Sequence, residues 1–222
     1  MDIVGINLIA LLGRPDRGLV GLERIGKIFQ DEDLAGLLVQ PAMTQGFGID
    51  PGSPTAVPTV QGESMRSQRM VTVTPNRIEV HDLSGSSGRT DELVRLMELL
   101  IKAYAIEEIQ KCGSNFVAIG KMQTNASAAG AIYGTLLRHD PLFAEGATII
   151  GGGVRWFLSR EDLHFNVAVE PRANLPDAAD VWISCNSEMD VTHLPDSSQM
   201  KRMVRVNEEL VAHLFEEVTH HA

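Results

Sequence analysis

Val71-Thr72-Val73-Thr74-Pro75-Asn76-Arg77-Ile78-Glu79-Val80-His81 carries the clearest structural signal in the chain. Val71 and Val73 alternate with Thr72 and Thr74, Pro75-Asn76 supplies a turn, and Ile78 and Val80 alternate with Arg77, Glu79 and His81. Successive side chains on a strand point to opposite faces, so this pattern predicts an antiparallel hairpin with one apolar and one polar face. Upstream, the apolar run from Ile3 to Leu12 ends at Gly13-Arg14-Pro15-Asp16, as a buried strand ends at a turn. Downstream, Gly85-Ser86-Ser87-Gly88 breaks the chain. Thr90 is then placed as an N-cap, with Asp91 and Glu92 in the first turn where carboxylates favour the positive helix end. Leu93, Leu96, Met97, Leu99, Leu100 and Ile101 form a stripe broad enough to pack on a sheet.

The order of elements then repeats. Phe116-Val117-Ala118-Ile119 predicts a strand, and about Asn125 to Arg138 a helix rich in small residues. Ala147–Ile150, Val154–Leu158, Leu163–Val169 and Val181–Cys185 read as strands, and about Ser198 to Val218 as a long closing helix. In the first half, Leu22, Ile25, Ile28 and Phe29 give a short helix and Leu37–Val39 the start of a strand. From Gln40 to Ser64 four prolines sit among glycines with no Lys or Arg, the composition of a flap or a flexible insertion, broken by one or two extended pieces. The expected fold is α+β. A curved antiparallel sheet has helices packed on one face, in one domain pseudo-duplicated as residues 1–112 and 113–222.

Composition removes several function classes. The 222 residues include 19 Lys plus Arg against 29 Asp plus Glu, a net charge of −10, and 5% aromatics. So acidic a chain has no electrostatic reason to bind a phosphate backbone, and few rings on which to stack bases. The N-terminal apolar run falls short of the about 20 residues that span a bilayer, and has Asp2 where a signal peptide would be basic. No nucleic acid, no membrane and a cytoplasmic location are therefore expected. Cys112 and Cys185 have no CxxC partner and read as buried, reduced thiols.

Several constellations invite chemistry. Ser86, Ser87, Gly88 and Arg89 resemble an anion-binding loop at a helix start, but they lack the phosphate-loop spacing and its Lys, so an ordinary glycine-rich turn is the main reading and an anion site the weaker one. Glu188, Asp190 and His193 lie in residues 161–196, where eight acids against Arg172 give a local charge of −7. Oxygen-rich clusters suit hard cations, although solvated acidic edges have the same composition. No nucleophile motif occurs, no catalytic residues are assigned and no cofactor is expected. Alternation offers a better lead. If the strands share one sheet, its polar face carries Arg77, Glu79, His81, His164, Asn166, Trp182, Ser184 and Asn186, mixed polar groups around an indole. In the closing helix, Met200, Val204, Asn207, Val211, Leu214 and Val218 repeat at four and three residues, a heptad seam with a central Asn. Met203, Leu210 and Phe215 widen that stripe for packing on the same molecule's sheet. A dimer contact through this helix or the sheet face is the other use of it.

Trp182-Ile183-Ser184-Cys185-Asn186 and Asp190, then Asn207-Glu208-Glu209-Leu210 and Phe215-Glu216-Glu217-Val218-Thr219, form a strand, an Asp-containing turn and a long helix. Together with the step Ile109-Gln110-Lys111-Cys112-Gly113-Ser114-Asn115-Phe116-Val117, these features make the C-terminal half of the chain resemble a sporadically distributed, uncharacterised bacterial α+β family. The resemblance implies an α+β fold of two similar halves and brings no activity. The expectation is a non-enzymatic cytoplasmic binding or assembly protein, acting through self-association or a protein partner. The alternative is a small-ligand or metal-dependent enzyme, with the flap of residues 40–64 over the polar sheet face.

Overall fold

A computed structural model describes residues 1–21, 24, 32–34, 42–49, 56–64, 68–86, 88–122, 128–132, 136, 152–172, 179–191 and 193–220, with backbone alone for 42–49, 56–64 and 220. The elements run β1 (Asp2–Leu11), a 3₁₀ turn (Arg17–Val20), β2 (Ala42–Ile49), β3 (Ala56–Ser64), β4 (Arg69–Thr74), β5 (Arg77–Asp82) and α1 (Thr90–Ala103). They continue with β6 (Lys111–Lys121), α2 (Ala128–Ile132), β7 (Val154–Arg160), β8 (Leu163–Pro171), β9 (Asp180–Asp190) and α3 (Ser197–His220).

The nine strands among the described residues form one antiparallel sheet in the order β2-β3-β4-β5-β1-β6-β9-β8-β7. Each half obeys the same rule. Its first strand takes the centre, its last strand pairs beside it, and the others follow outward in reverse order. The halves meet where β1 pairs with β6. β6 (Lys111–Lys121) runs across the boundary expected at 112/113.

The hairpin at residues 69–82 is present, with Val73 opposite Ile78 and Val71 opposite Val80. Its apolar residues join Ile6, Leu8, Phe116, Val167, Ile183 and Cys185 in the core. α1 packs on β5 and β1, α2 on β8, and α3 on β6 and β9, so the helices share one face. Thr90 is not the cap: Arg89 occupies that position without a side-chain cap bond, and Thr90 is the first helical residue, buried. Asp91 and Glu92 do occupy the first turn.

Residues 42–49 and 56–64 are two extended strands within the segment expected as a flap or flexible insertion. They pair with each other, and β3 continues onto β4, so this segment lengthens the sheet at its edge. Pro58 is accommodated within β3, opposite Phe47. The helix expected near Leu22–Phe29, the strands at Leu37–Val39 and Ala147–Ile150, and parts of the helix at 125–138 lie outside the described residues.

The heptad seam of α3 is consumed within the molecule. Met200, Met203, Val204, Asn207, Val211 and Val218 are buried against the sheet. That corrects a dimer contact through this helix stripe. Cys112 and Cys185 are free and buried on the core face, and burial pushes both thiols up to about 12. Cys112 lies opposite Met189, four residues along β9 from Cys185, which separates the two by about 13 Å and rules out a disulfide between them.

Candidate functional site

Strand register assembles the face opposite the helices. In an antiparallel pair, residues directly opposite share a face and touch. Following the register across the sheet gives one row: Met70, His81, Asn7, Asn115, Asn186, Asn166 and Phe157. Four asparagines therefore stand side by side on β1, β6, β9 and β8. The next row reads Thr72, Glu79, Ile9, Gly113, Glu188, His164 and Ser159.

All eight residues expected on the polar face do occupy it, but the face is not uniformly open. Its β5 end is closed: Glu79 is only 8% exposed, and its carboxylate is a hub. Asn7 Nδ2 donates to Glu79 Oε1 at 2.8 Å, His81 Nε2 lies 3.4 Å from the same oxygen, and Arg77 Nε lies 3.5 Å from Oε2. Asn7 Oδ1 in turn accepts the Asn115 backbone N–H at 2.8 Å, linking the hub across the joint between halves. The β8–β9 end is open. His164 and Asn186 are exposed, Asn166, Trp182 and Ser184 half-buried.

Two recesses flank the asparagine row. The larger, about 370 Å³, lies over Gly113, which stands between Ile9 and Glu188. Asn115, Asn186, Asn166, His164, Lys111 and Phe157 complete its walls. Asn166 Oδ1 is buried without a hydrogen-bond partner, and Ser159 Oγ lies 3.2 Å from His164 Nδ1. The smaller recess, about 190 Å³, is bounded by Trp182, Val117, Asn7 and His81.

The metal reading of Glu188, Asp190 and His193 is corrected by this geometry. Lys111 Nζ lies 2.8 Å from Glu188 and 3.6 Å from Asp190, so an ammonium occupies the place a cation would take. Hydrogen bonding to Glu188 raises the Lys111 pKa, keeping it charged. His193 is exposed, and among the described residues no three His, Cys, Asp or Glu side chains gather as a metal-holding group. In the loop read as an anion site, the Arg89 guanidinium faces Asp82 at 3.4 Å and Glu92 at 3.4 Å. The Ser84 N–H and hydroxyl both donate to Asp82, and Arg69 pairs with Glu92. Protein carboxylates thus already take the positive charge that an anion would need, and Ser86 is exposed with its N–H 3.3 Å from Ser84 Oγ. Ser87 lies outside the described residues.

Asn7, Asn115, Gly113 and Lys111 belong to the face and were not anticipated. In β1, Ile9 and Leu11 also point to it, so that strand shows no polar alternation. Gly113-Ser114-Asn115 has the composition of a turn, which concealed a strand. No protein-family model matches the chain, and no curated protein matches it either. Among the described residues no helix is long and apolar enough to cross a membrane.

His81 makes the hub pH-sensitive. Burial lowers its pKa from 6.5, the Glu79 charge opposes that shift, and Arg77 adds to it. Between the depressed folded value and 6.5 the unfolded chain binds more protons, so stability rises with pH there and falls as pH drops below 6.5. Urea denaturation from pH 5 to 7.5 is expected to show this slope, and His81→Gln to flatten it. An unchanged slope in the variant would assign the titration to another group.

Proposed function

We propose that this is a non-enzymatic cytoplasmic protein that works by binding, joining a second copy or another protein through the uncovered part of its sheet. The observation that carries the reading is Phe157, 77% exposed in the middle of the outermost strand β7. A large apolar side chain held out on a rigid strand, beside the amides of Asn166 and Asn186, has the makeup of an interface: an apolar anchor with hydrogen-bonding groups around it. The acidic composition, net −10, argues against nucleic acid as the partner. Multi-angle light scattering and affinity capture with the intact chain test the reading. A strict monomer that also retains no partner protein overturns it.

One observation favours a second reading, a small-ligand protein. The gap over Gly113 is walled by three asparagine amides and an aromatic ring, groups that hold a compact, partly apolar molecule. Under this reading a thermal-shift screen with nucleotides and divalent cations raises the melting temperature. Asn186→Leu, at an exposed residue of the recess wall, abolishes that shift. No shift with any of these probes removes the second reading and leaves the first.

A further inference from the structure

We propose that the partner is a second copy of this chain, added antiparallel along β7 so that the two sheets become continuous, with Phe157 meeting Phe157 of the second copy at the dyad. The proposal rests on the binding reading above and names its interface.

Among the described residues, β7 lacks most of the usual defences of a sheet edge. Natural edges are blunted by proline, by bulges, by short length, by charged side chains or by a covering helix, and of these β7 carries charge, in Arg155 and Arg160. Val154–Arg160 is seven residues long, contains no proline, and pairs with β8 in unbroken register from Val154–Val169 to Arg160–Leu163. Its apolar residues lie on both faces. Phe157 is 77% and Leu158 44% exposed, and Trp156 is half-buried. On the helix side the core runs through Phe165 of β8 and stops at Leu158. A second copy would extend it.

The strand is also complementary to itself. A dyad perpendicular to the sheet keeps both copies' helices on one side and pairs residues of equal parity. Centred on Phe157, it sets Trp156 against Leu158 of the second copy, Arg155 against Ser159, and Val154 against Arg160. No like charges stand opposite each other, which would oppose pairing. Diagonally, Arg160 reaches Trp156 of the second copy on the same face, within range for a cation over an indole. β7 has two arginines and no acid in a chain of net charge −10, and Arg155 is already balanced by Glu170 at 3.6 Å. It is a strand on which the general acidic repulsion between two copies is not concentrated. The interface is isologous and closes as a dimer.

The test uses the intact chain over nanomolar to high-micromolar concentrations in sedimentation velocity. The expected result is a dimer whose dissociation constant rises about a hundredfold or more in Phe157→Asp, which places two carboxylates at the dyad. Circular dichroism should show this variant folded, because the side chain is largely exposed. Independently of that variant, Phe157→Cys is expected to form a covalent dimer under mild oxidation, whereas Ser159→Cys, set against Arg155 and not against itself, forms none. The native thiols do not compete, both being buried. A dimer that survives Phe157→Asp, or Ser159→Cys cross-linking as readily as Phe157→Cys, overturns the β7 interface while the binding reading stands. A wild-type monomer at all concentrations overturns self-association altogether. A monomer that captures a different protein at this edge transfers the role to that protein and likewise overturns the proposal.

Discussion

Asn207→Ala is expected to destabilise the protein by about 2–4 kcal/mol, the sum of a lost buried hydrogen-bond set and a small cavity. Asn207 is 0% exposed, under α3 at the centre of the sheet. Its Nδ2 donates to the Ser114 carbonyl at 3.0 Å, and its Oδ1 accepts the Cys185 thiol at 3.3 Å. Removing the amide leaves both groups buried without it, in a region where the Ser114 and Ser187 hydroxyls already have no partner. Leaving a buried polar group unsatisfied costs more than the bond itself contributes, since water cannot replace the partner. For a chain this long the melting temperature should fall by about 5–15 °C. Asn207→Asp should be worse at neutral pH, because it adds a buried charge. A loss below about 0.5 kcal/mol, the level of an ordinary surface substitution, would show that the amide is not the tie between helix and sheet.

Gly120→Ala carries the second large effect. The Cβ of an alanine at Gly120 would fall inside the ring of Phe215, which lies directly on the β6 backbone. The ring has to rotate or α3 has to lift, and overpacking of this kind costs about 1–3 kcal/mol. Phe215 is only half-buried, so relief by smaller substitution is practical. Phe215→Leu is expected to rescue Gly120→Ala, with a favourable coupling of about 0.5–2 kcal/mol in a double-mutant cycle. Chemical denaturation of the four proteins measures it. Simple additivity would mean that helix and strand do not meet at this point.

Both positions show what kind of information local reading contains. The alternation in Val71–His81 predicted β4, β5 and their turn, because period two is a property of neighbouring residues. The stripe of α3 was legible for the same reason, at period 3.6. That the stripe would face the molecule's own sheet rather than a second helix was suggested by its width, through Met203, Leu210 and Phe215, but its partners there were not legible. A heptad seam with a central Asn serves either use, and the presence of Ser114 and Cys185 beneath Asn207 distinguishes them. The segment 40–64 was legible only in part, as extended pieces within a Pro/Gly-rich stretch, for a related reason. Prolines and glycines report a local bias against strands, whereas the pairing of β2 with β3 and of β3 with β4 is a non-local condition that overrides it.

The candidate site divides in the same way. Each strand's alternation assigned Arg77, Glu79, His81, His164, Asn166, Trp182, Ser184 and Asn186 to the polar side, since a strand's two faces are set by its own sequence. Which of those residues would be neighbours depended on strand order and register, which no single strand encodes. Pairing β1 with β6 and β6 with β9 is what aligned Asn7, Asn115 and Asn186, opened a recess at Gly113, and put Lys111 between Glu188 and Asp190 where a metal had been envisaged. Pairing also made β7 the outermost strand, which turned Phe157 from one more apolar residue in an expected strand into an exposed anchor. Fold class, two-faced strands and buried thiols followed from residue periodicity and composition. The asparagine row, the recesses and the free edge arose from contacts between residues tens of positions apart, whose register is chosen by the burial of the whole sheet.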